Sequence, residues 1–180
     1  MSSATATNDD IRIQPYEDWM AEQVADLFVA QYGGTREEQQ TAYQAFYEAP
    51  FQRPHGIRIV AVDGRTVCGF QSYFYWPYVY DGKPLRTFQS GNSLVSSEYR
   101  GRGIFARLLN FLHEAEHRPD IDFLMGFPVE MSYGSFLRNH WANPLDLVWL
   151  VKPIHPLSAL DPSAPPPDQW RFDRVPEPVD

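Results

Sequence analysis

Asn92-Ser-Leu-Val-Ser-Ser-Glu-Tyr-Arg-Gly-Arg-Gly-Ile-Phe105 runs directly into Ala106-Arg-Leu-Leu-Asn-Phe-Leu-His-Glu-Ala-Glu-His117, and the fold is read outward from this stretch. Leu94 and Val95 close an extended segment. Apolar residues then recur at Ile104, Leu108, Leu109, Leu112 and Ala115, which is helical spacing. Between the two lie glycines alternating with arginines. The order is strand, glycine-arginine turn, helix. Glycine lets a backbone approach a ligand with no Cβ in the way. The first turn of a helix presents unpaired N–H groups and the positive end of the dipole. Arg100, Arg102 and Arg107 add side-chain charge at the same place. Together these make a seat for a phosphate or pyrophosphate.

Upstream, Ile11–Tyr16 alternates and reads as a first strand ending at Pro15, after a polar leader over 1–10 that lacks the character of a signal peptide. Trp19, Val24, Leu27 and Phe28 mark a helix over Glu17–Tyr32, stopped by Gly33-Gly34. Thr35 with Glu38 is a capping box opening a second helix to about Ala49. Ile57–Val62 and Thr66–Tyr75 flank Asp63-Gly64, a hairpin signal, and Asp81-Gly82 precedes a third run over Leu85–Val95. An antiparallel meander of three strands therefore delivers the chain to the glycine-arginine loop. Downstream, Asp122–Phe127 is an apolar run that suits a strand buried on both faces, parallel to the one before the helix. A helix over Ser132–Asn139 and a strand over Leu145–Val151 follow. The region 11–155 reads as one domain, and 156–180 as a proline-rich tail with a short edge strand at 170–175.

The net charge of −8 argues against a general nucleic-acid or anionic-membrane binder. Against that background the three arginines are a local basic exception suited to a small polyanion. No apolar run approaches the roughly 18 residues of a membrane span, and the single cysteine, Cys68, fits a reducing compartment, with cytoplasm as the default.

Tyr99-Arg-Gly-Arg-Gly-Ile-Phe105 resembles the acyl-CoA loop of the GNAT acyltransferase superfamily, Arg/Gln-x-x-Gly-x-Gly/Ala. Phe105 departs from it at the last position, and Ala106 follows at once. The element string β-α-α-β-β-β-α-β-α-β is similar to the GNAT order over about 11–152, anchored in 92–152. The resemblance implies an α+β fold: a mixed sheet of six to seven strands, an antiparallel meander, a splayed parallel pair and flanking helices. It implies direct transfer of an acetyl or short acyl group from acyl-CoA to a primary amine, with no metal. Backbone groups of Leu94 and Val95 would pair with the pantetheine arm. The N–H groups of Arg100, Gly101, Arg102, Gly103, Ile104, Phe105 and Ala106 would hold the pyrophosphate. Family members often carry a catalytic tyrosine as Tyr-x-x-x-Gly-Phe in the helix after the fifth strand. Phe136 stands there instead, so Tyr133, one turn earlier, is the candidate acid, with Ser132 and His140 as other donors. Glu130 is the candidate base, ahead of Gln89 and Glu98. The acceptor would be an amino sugar, amino acid, polyamine or protein amine. Its identity, the acyl length and whether protomers form a homodimer through their last strands stay open.

Other readings compete. The missing tyrosine and the proline-rich tail favour a module that binds acyl-CoA without transferring. Gly101-x-Gly103-x-x-Ala106 also satisfies the dinucleotide fingerprint, but five residues separate Val95 from Gly101, where that fingerprint wants its glycine directly after the strand. His113-Glu114-Ala-Glu-His117 matches the zinc-peptidase helix His-Glu-x-x-His, against a plain helix end whose histidines complement the dipole. The run Tyr73–Tyr80 reads as strand packing and a bent loop, or else as an aromatic wall for an acceptor. Cys68 reads as core.

Overall fold

The computed structural model describes residues 10–114 and 120–144. Along the chain come β1 (Ile11–Pro15), a 3-10 turn (Asp18–Met20), α1 (Ala21–Tyr32), α2 (Arg36–Tyr47), β2 (Ile57–Asp63) and β3 (Thr66–Tyr75). Then follow β4 (Tyr78–Tyr80), β5 (Lys83–Leu85), β6 (Thr87–Val95), α3 (Ile104–Asn110), β7 (Phe123–Met125) and α4 (Glu130–Arg138). The main sheet runs β1-β2-β3-β6-β7, and β4 and β5 form a separate hairpin. All pairs in the main sheet are antiparallel except β6 and β7. The class is α+β.

Local chemistry explains most of these boundaries. Gly33 and Gly34 both have φ near +78° and +77°, a conformation that ends α1 without Cβ strain. Two residues on, the Thr35 N–H donates to Glu38 Oε2 at 2.7 Å and the Glu38 N–H to Thr35 Oγ1 at 3.2 Å, so the capping box opens α2 as its spacing implies. The Asp63-Gly64 turn joins β2 to β3. Asp81-Gly82 does something different from the expectation. It closes the β4–β5 hairpin, with Tyr80 opposite Lys83, and β6 begins only at Thr87.

Each face of the sheet has its own core. On one face Val24, Leu27 and Phe28 of α1 and Tyr47 of α2 pack on Val60, Val62, Phe70 and Leu94. The aromatic members interlock: the rings of Phe28 and Phe70 lie 5.6 Å apart edge-on, and Tyr47 stacks on Phe74 at 5.1 Å. On the other face Ile104, Leu108 and Leu112 pack on Ile59, Ala61, Cys68 and Tyr73. Gly69 of β3 sets how closely α3 docks. A Cβ there would lie 3.1 Å from both Ile104 Cγ2 and Leu108 Cδ1. These two side chains are four residues apart on one helix face, so Gly69 is the seat on which the first turn of α3 rests.

Several expectations need correction. The sheet has five strands among the described residues, against six to seven expected; the strands read at 145–151 and 170–175 fall outside those residues, as do the leader over 1–9 and the tail. β7 is shorter than Asp122–Phe127 and is not buried on both faces. Phe123 is 39% exposed and lies beside Tyr78, with ring centroids 6.0 Å apart. The helix after the loop ends at Asn110, continues as a 3-10 turn over Phe111–His113, and gives way at Glu114 (φ −72°, ψ 129°) to extended backbone. Residues 115–117 lie outside the described residues.

Candidate active site

The site begins where the parallel ladder between β6 and β7 ends. Thr87, Phe88 and Gln89 of β6 pair with Phe123, Leu124 and Met125 of β7, and there the ladder stops, while β6 continues to Val95. A β-bulge falls just beyond that point. Tyr73 pairs with Ser90, whereas Gln71 pairs with Ser93, so β6 carries one extra residue across Gly91 and Asn92. The Trp76 N–H donates to the Thr87 carbonyl and the Ser96 N–H to the Cys68 carbonyl. Backbone direction alternates along a strand. Before the bulge, Phe88 and Ser90 therefore point away from β3; after it, Ser93 and Val95 do. The extra residue is what turns the odd-numbered groups toward the cleft. Leu94 was expected to offer its backbone, but alternation directs those groups to β3, and its side chain is buried in the α1 core. Ser93 is the neighbour whose backbone groups point away from β3. Nothing in the sequence marks the bulge except Gly91, where a Cβ would lie 2.5 Å from both Phe74 Cε2 and Ser72 Oγ.

The glycine-arginine loop follows. Gly101 (φ +78°) and Gly103 (φ +73°) are both left-handed, and among the described residues, chain neighbours aside, nothing lies within 4 Å of where a Cβ would stand on either. Gly103 is the N-cap of α3, and its carbonyl accepts from the Arg107 N–H at 3.1 Å. The three arginines do not converge. Arg100 Nε donates to the Val95 carbonyl at 3.2 Å and Nη2 to Gln31 Oε1 at 3.4 Å. Arg102 lies over the Tyr99 ring, 4.8 Å from its centroid, and Nη2 donates to the Glu98 carbonyl at 3.3 Å. Arg107 Nη2 reaches the Ile11 carbonyl at 2.5 Å and so ties α3 to β1. A cavity of about 160 Å³ lies where α1 meets the end of β6, lined by residues including Gln31, Val95, Ser96 and Arg100.

Of the α4 candidates, Glu130 opens the helix and is exposed. Tyr133 is 40% exposed, and its hydroxyl has no hydrogen-bond partner among the described residues. Phe136 is only 6% exposed. Its ring meets Phe105 edge-on at 6.0 Å and Trp141 at 4.9 Å, and a Cβ on Gly126 would lie 3.0 Å from its Cε1. The two departures from the family pattern, Phe105 and Phe136, thus touch each other and fill the space between α3, α4 and the chain leaving β7. Ser132 Oγ donates to the Val129 carbonyl, a local turn bond, and His140 is exposed at the end of α4.

Sequence reasoning missed two polar networks at the bulge, one on each face. On the α1 side the Tyr32 hydroxyl donates to Asn92 Oδ1 at 3.2 Å, Asn92 Nδ2 donates to the Tyr47 oxygen at 2.7 Å, and that hydroxyl is 3.0 Å from Ser72 Oγ. Burial pushes the Tyr47 phenol up to about 12, with the bonds from Ser72 and Asn92 opposing. On the α3 side Gln71, fully buried, links Ser90 and Ser93. Single polar residues within strands carry no periodic signal, which is why neither network was legible.

The remaining alternatives fare differently. A zinc helix needs His113 and His117 one turn apart on continuous helix, and the backbone is already extended at Glu114; His117 itself lies outside the described residues. Tyr73 is buried core and Phe74 and Tyr75 pack against neighbouring rings, whereas Trp76, Tyr78 and Tyr80 are exposed. Cys68 is core: it is buried, donates to the Ala61 carbonyl, and burial raises its thiol to about 11.

The sequence matches the Acetyltransferase (GNAT) domain over residues 12–138. No curated protein matches it. Glucosamine-6-phosphate N-acetyltransferase from Arabidopsis thaliana superposes with a TM-score of 0.59 at 11% identity, over 81% of this chain and 99% of that one. Ribosomal-protein-alanine N-acetyltransferase from Brucella melitensis does so at 0.59 and 18% identity, over 81% and 99%. AAC(6')-Iy, in complex with the bisubstrate analog CoA-S-monomethyl-acetylneamine, does so at 0.61 and 11%, over 80% and 99%. At these identities the superpositions carry the fold, and the domain match carries the family. A parallel pair that parts beside a bulge, followed by a glycine loop into a helix, is built on the frame these proteins share, and the chain belongs to the GNAT acetyltransferase family.

Proposed function

We propose that the protein is an acyl-CoA-dependent N-acyltransferase in which an amine attacks the thioester directly, with acetyl-CoA as donor. The observation that carries the reading is the β6–β7 parting. Beyond the last β6–β7 pair, Ser93 and Val95 turn backbone groups away from β3, and the loop with Gly101 and Gly103 follows. Val95 and Ser93 pair with the pantetheine amides. N–H groups from Arg100 to Ala106, with Gly101, Arg102, Gly103, Ile104 and Phe105 between, receive the pyrophosphate, which has room above the two glycines because, chain neighbours aside, no atom of the described residues stands within 4 Å of their Cβ positions. Arg100 shares the Val95 carbonyl with the incoming amide, since a carbonyl oxygen has two lone pairs.

In the reaction the amine lone pair attacks the thioester carbon, the tetrahedral intermediate collapses, and coenzyme A leaves as thiolate. Glu130 takes the amine proton and Tyr133 supplies one to the thiolate. Both stand on the first turn of α4, and Tyr133 is exposed there. Holding the two reactants together supplies most of the acceleration, and each proton transfer adds about 10²–10⁴-fold. The acceptor is a primary amine on an amino sugar, amino acid, polyamine or protein terminus.

Thiol release from acetyl-CoA, followed over a panel of such amines, tests the reading. Steady turnover with at least one amine, reduced about 10²-fold or more in Tyr133→Phe, is the expected result. Binding of acetyl-CoA with no turnover on any amine would instead favour a non-transferring acyl-CoA module.

A further inference from the structure

We propose that the Ser90 hydroxyl donates a hydrogen bond to the oxygen of the reacting thioester, a role that rests on the acyltransferase reading above. Ser90 is the first residue of β6 past the last β6–β7 pair, Gln89 with Met125, so it stands at the apex of the parting. It lies opposite Tyr73 and two residues from Phe88, both in the α3-side core, which places its side chain on the face occupied by α3. Phe136 of α4 packs on Phe105 of α3, so this is also the side on which Tyr133 is carried.

Proton bookkeeping singles Ser90 out. The Gln71 amide is fully buried, and both its donor hydrogens are assigned: Nε2 donates to the Ser72 carbonyl at 2.7 Å and to Ser90 Oγ at 3.1 Å, while Oε1 accepts the Ser93 hydroxyl. Ser93 has therefore spent its proton. Ser90, 8% exposed, accepts from Gln71 and has no acceptor for its own hydrogen among the described residues. A buried hydroxyl held as an acceptor on one side keeps its O–H directed elsewhere, and a donor left without a partner in a nearly dry site costs free energy until a ligand supplies one. At the apex the atom that can supply one is the carbonyl oxygen of an acyl group carried in on the pantetheine. As the C–N bond forms, the C=O π pair moves onto that oxygen and the hydrogen bond strengthens. As the pair returns, the C–S bond breaks and the thiolate departs, with the Ser90 proton on Ser90 throughout. Gln71 is the positioning residue.

The test needs no acceptor. The carbonyl stretch of [1-¹³C]acetyl-CoA bound to the wild type is expected to be shifted to lower frequency than in water-excluded solvent. In Ser90→Ala that shift shrinks, in Ser90→Cys it is intermediate, and both variants still bind acetyl-CoA. With whichever amine turns over, kcat falls about 10²-fold in Ser90→Ala, the size seen on removing one oxyanion donor. An unchanged carbonyl band in a folded Ser90→Ala that binds acetyl-CoA would overturn the Ser90 role and leave the transferase reading standing. Absence of acetyl-CoA binding by the wild type would overturn both.

Discussion

Phe136 shows how one side chain divides structure from chemistry. Its ring is locked between Phe105, Trp141 and Gly126, so a hydroxyl placed there enters a packed apolar site. Phe136→Tyr is expected to cost about 1–3 kcal/mol and to leave turnover no higher than in the wild type, read by thermal unfolding and thiol release. Tyr47 carries a second residue-scale prediction. Its phenol is pushed up to about 12 and the Cys68 thiol to about 11, both chiefly by burial, from ordinary values of 10.0 and 9.0. In the unfolded chain both ionise earlier, so above pH 9 the native state binds more protons and stability falls as pH rises. Tyr47→Phe should flatten that fall between pH 10 and 12, while its lost bonds to Asn92 and Ser72 cost about 1 kcal/mol at neutral pH. Urea midpoints across the alkaline range check this, and identical slopes for the two proteins would contradict it.

Among the elements, β6 carries the site, and Gly91 carries β6. An alanine there puts its Cβ 2.5 Å from Phe74 and Ser72 side-chain atoms, so one of them must move. Gly91→Ala is expected to cost about 1–3 kcal/mol and to weaken acetyl-CoA binding, because the bulge decides that Ser93 and Val95 face the cleft. Calorimetric titration separates the two effects; lost stability with unchanged affinity would leave the bulge a packing feature only. Elements of this kind also mark what the sequence could disclose. The capping box at Thr35 and the Asp63-Gly64 turn were legible because their chemistry is complete within four residues. The strand-loop-helix order around Gly101 and Gly103 was legible because its segments are consecutive and the helical recurrence of Ile104, Leu108 and Leu112 marks where the loop ends. The bulge and the Gln71 network depend on partners about twenty residues apart along the chain, and no local pattern records them. Arg107 misled because charge in a sequence has no direction: its guanidinium reaches back to Ile11.

For the whole molecule, a net charge of −8 surrounds a loop whose arginines are partly engaged by neighbouring carbonyls. The protein repels a polyanion at long range, so oriented N–H groups at close range must supply the attraction for a coenzyme A pyrophosphate. Raising salt is then expected to change acetyl-CoA affinity only modestly, since screening removes repulsion along with attraction. The central claim is that the loop holds the acyl donor. Thermal unfolding of the wild type and of Gly103→Glu, with and without acetyl-CoA, tests it most directly. Gly103 sits at φ +73° in open space, so the variant pays about 1–2 kcal/mol in backbone strain and still folds. With ligand at about 100 times its dissociation constant the wild type should gain about 2.7 kcal/mol, on the order of 5–10 °C in midpoint, and the folded variant should gain none. An equal shift in both proteins would place the donor elsewhere, and no shift in the wild type would contradict the account.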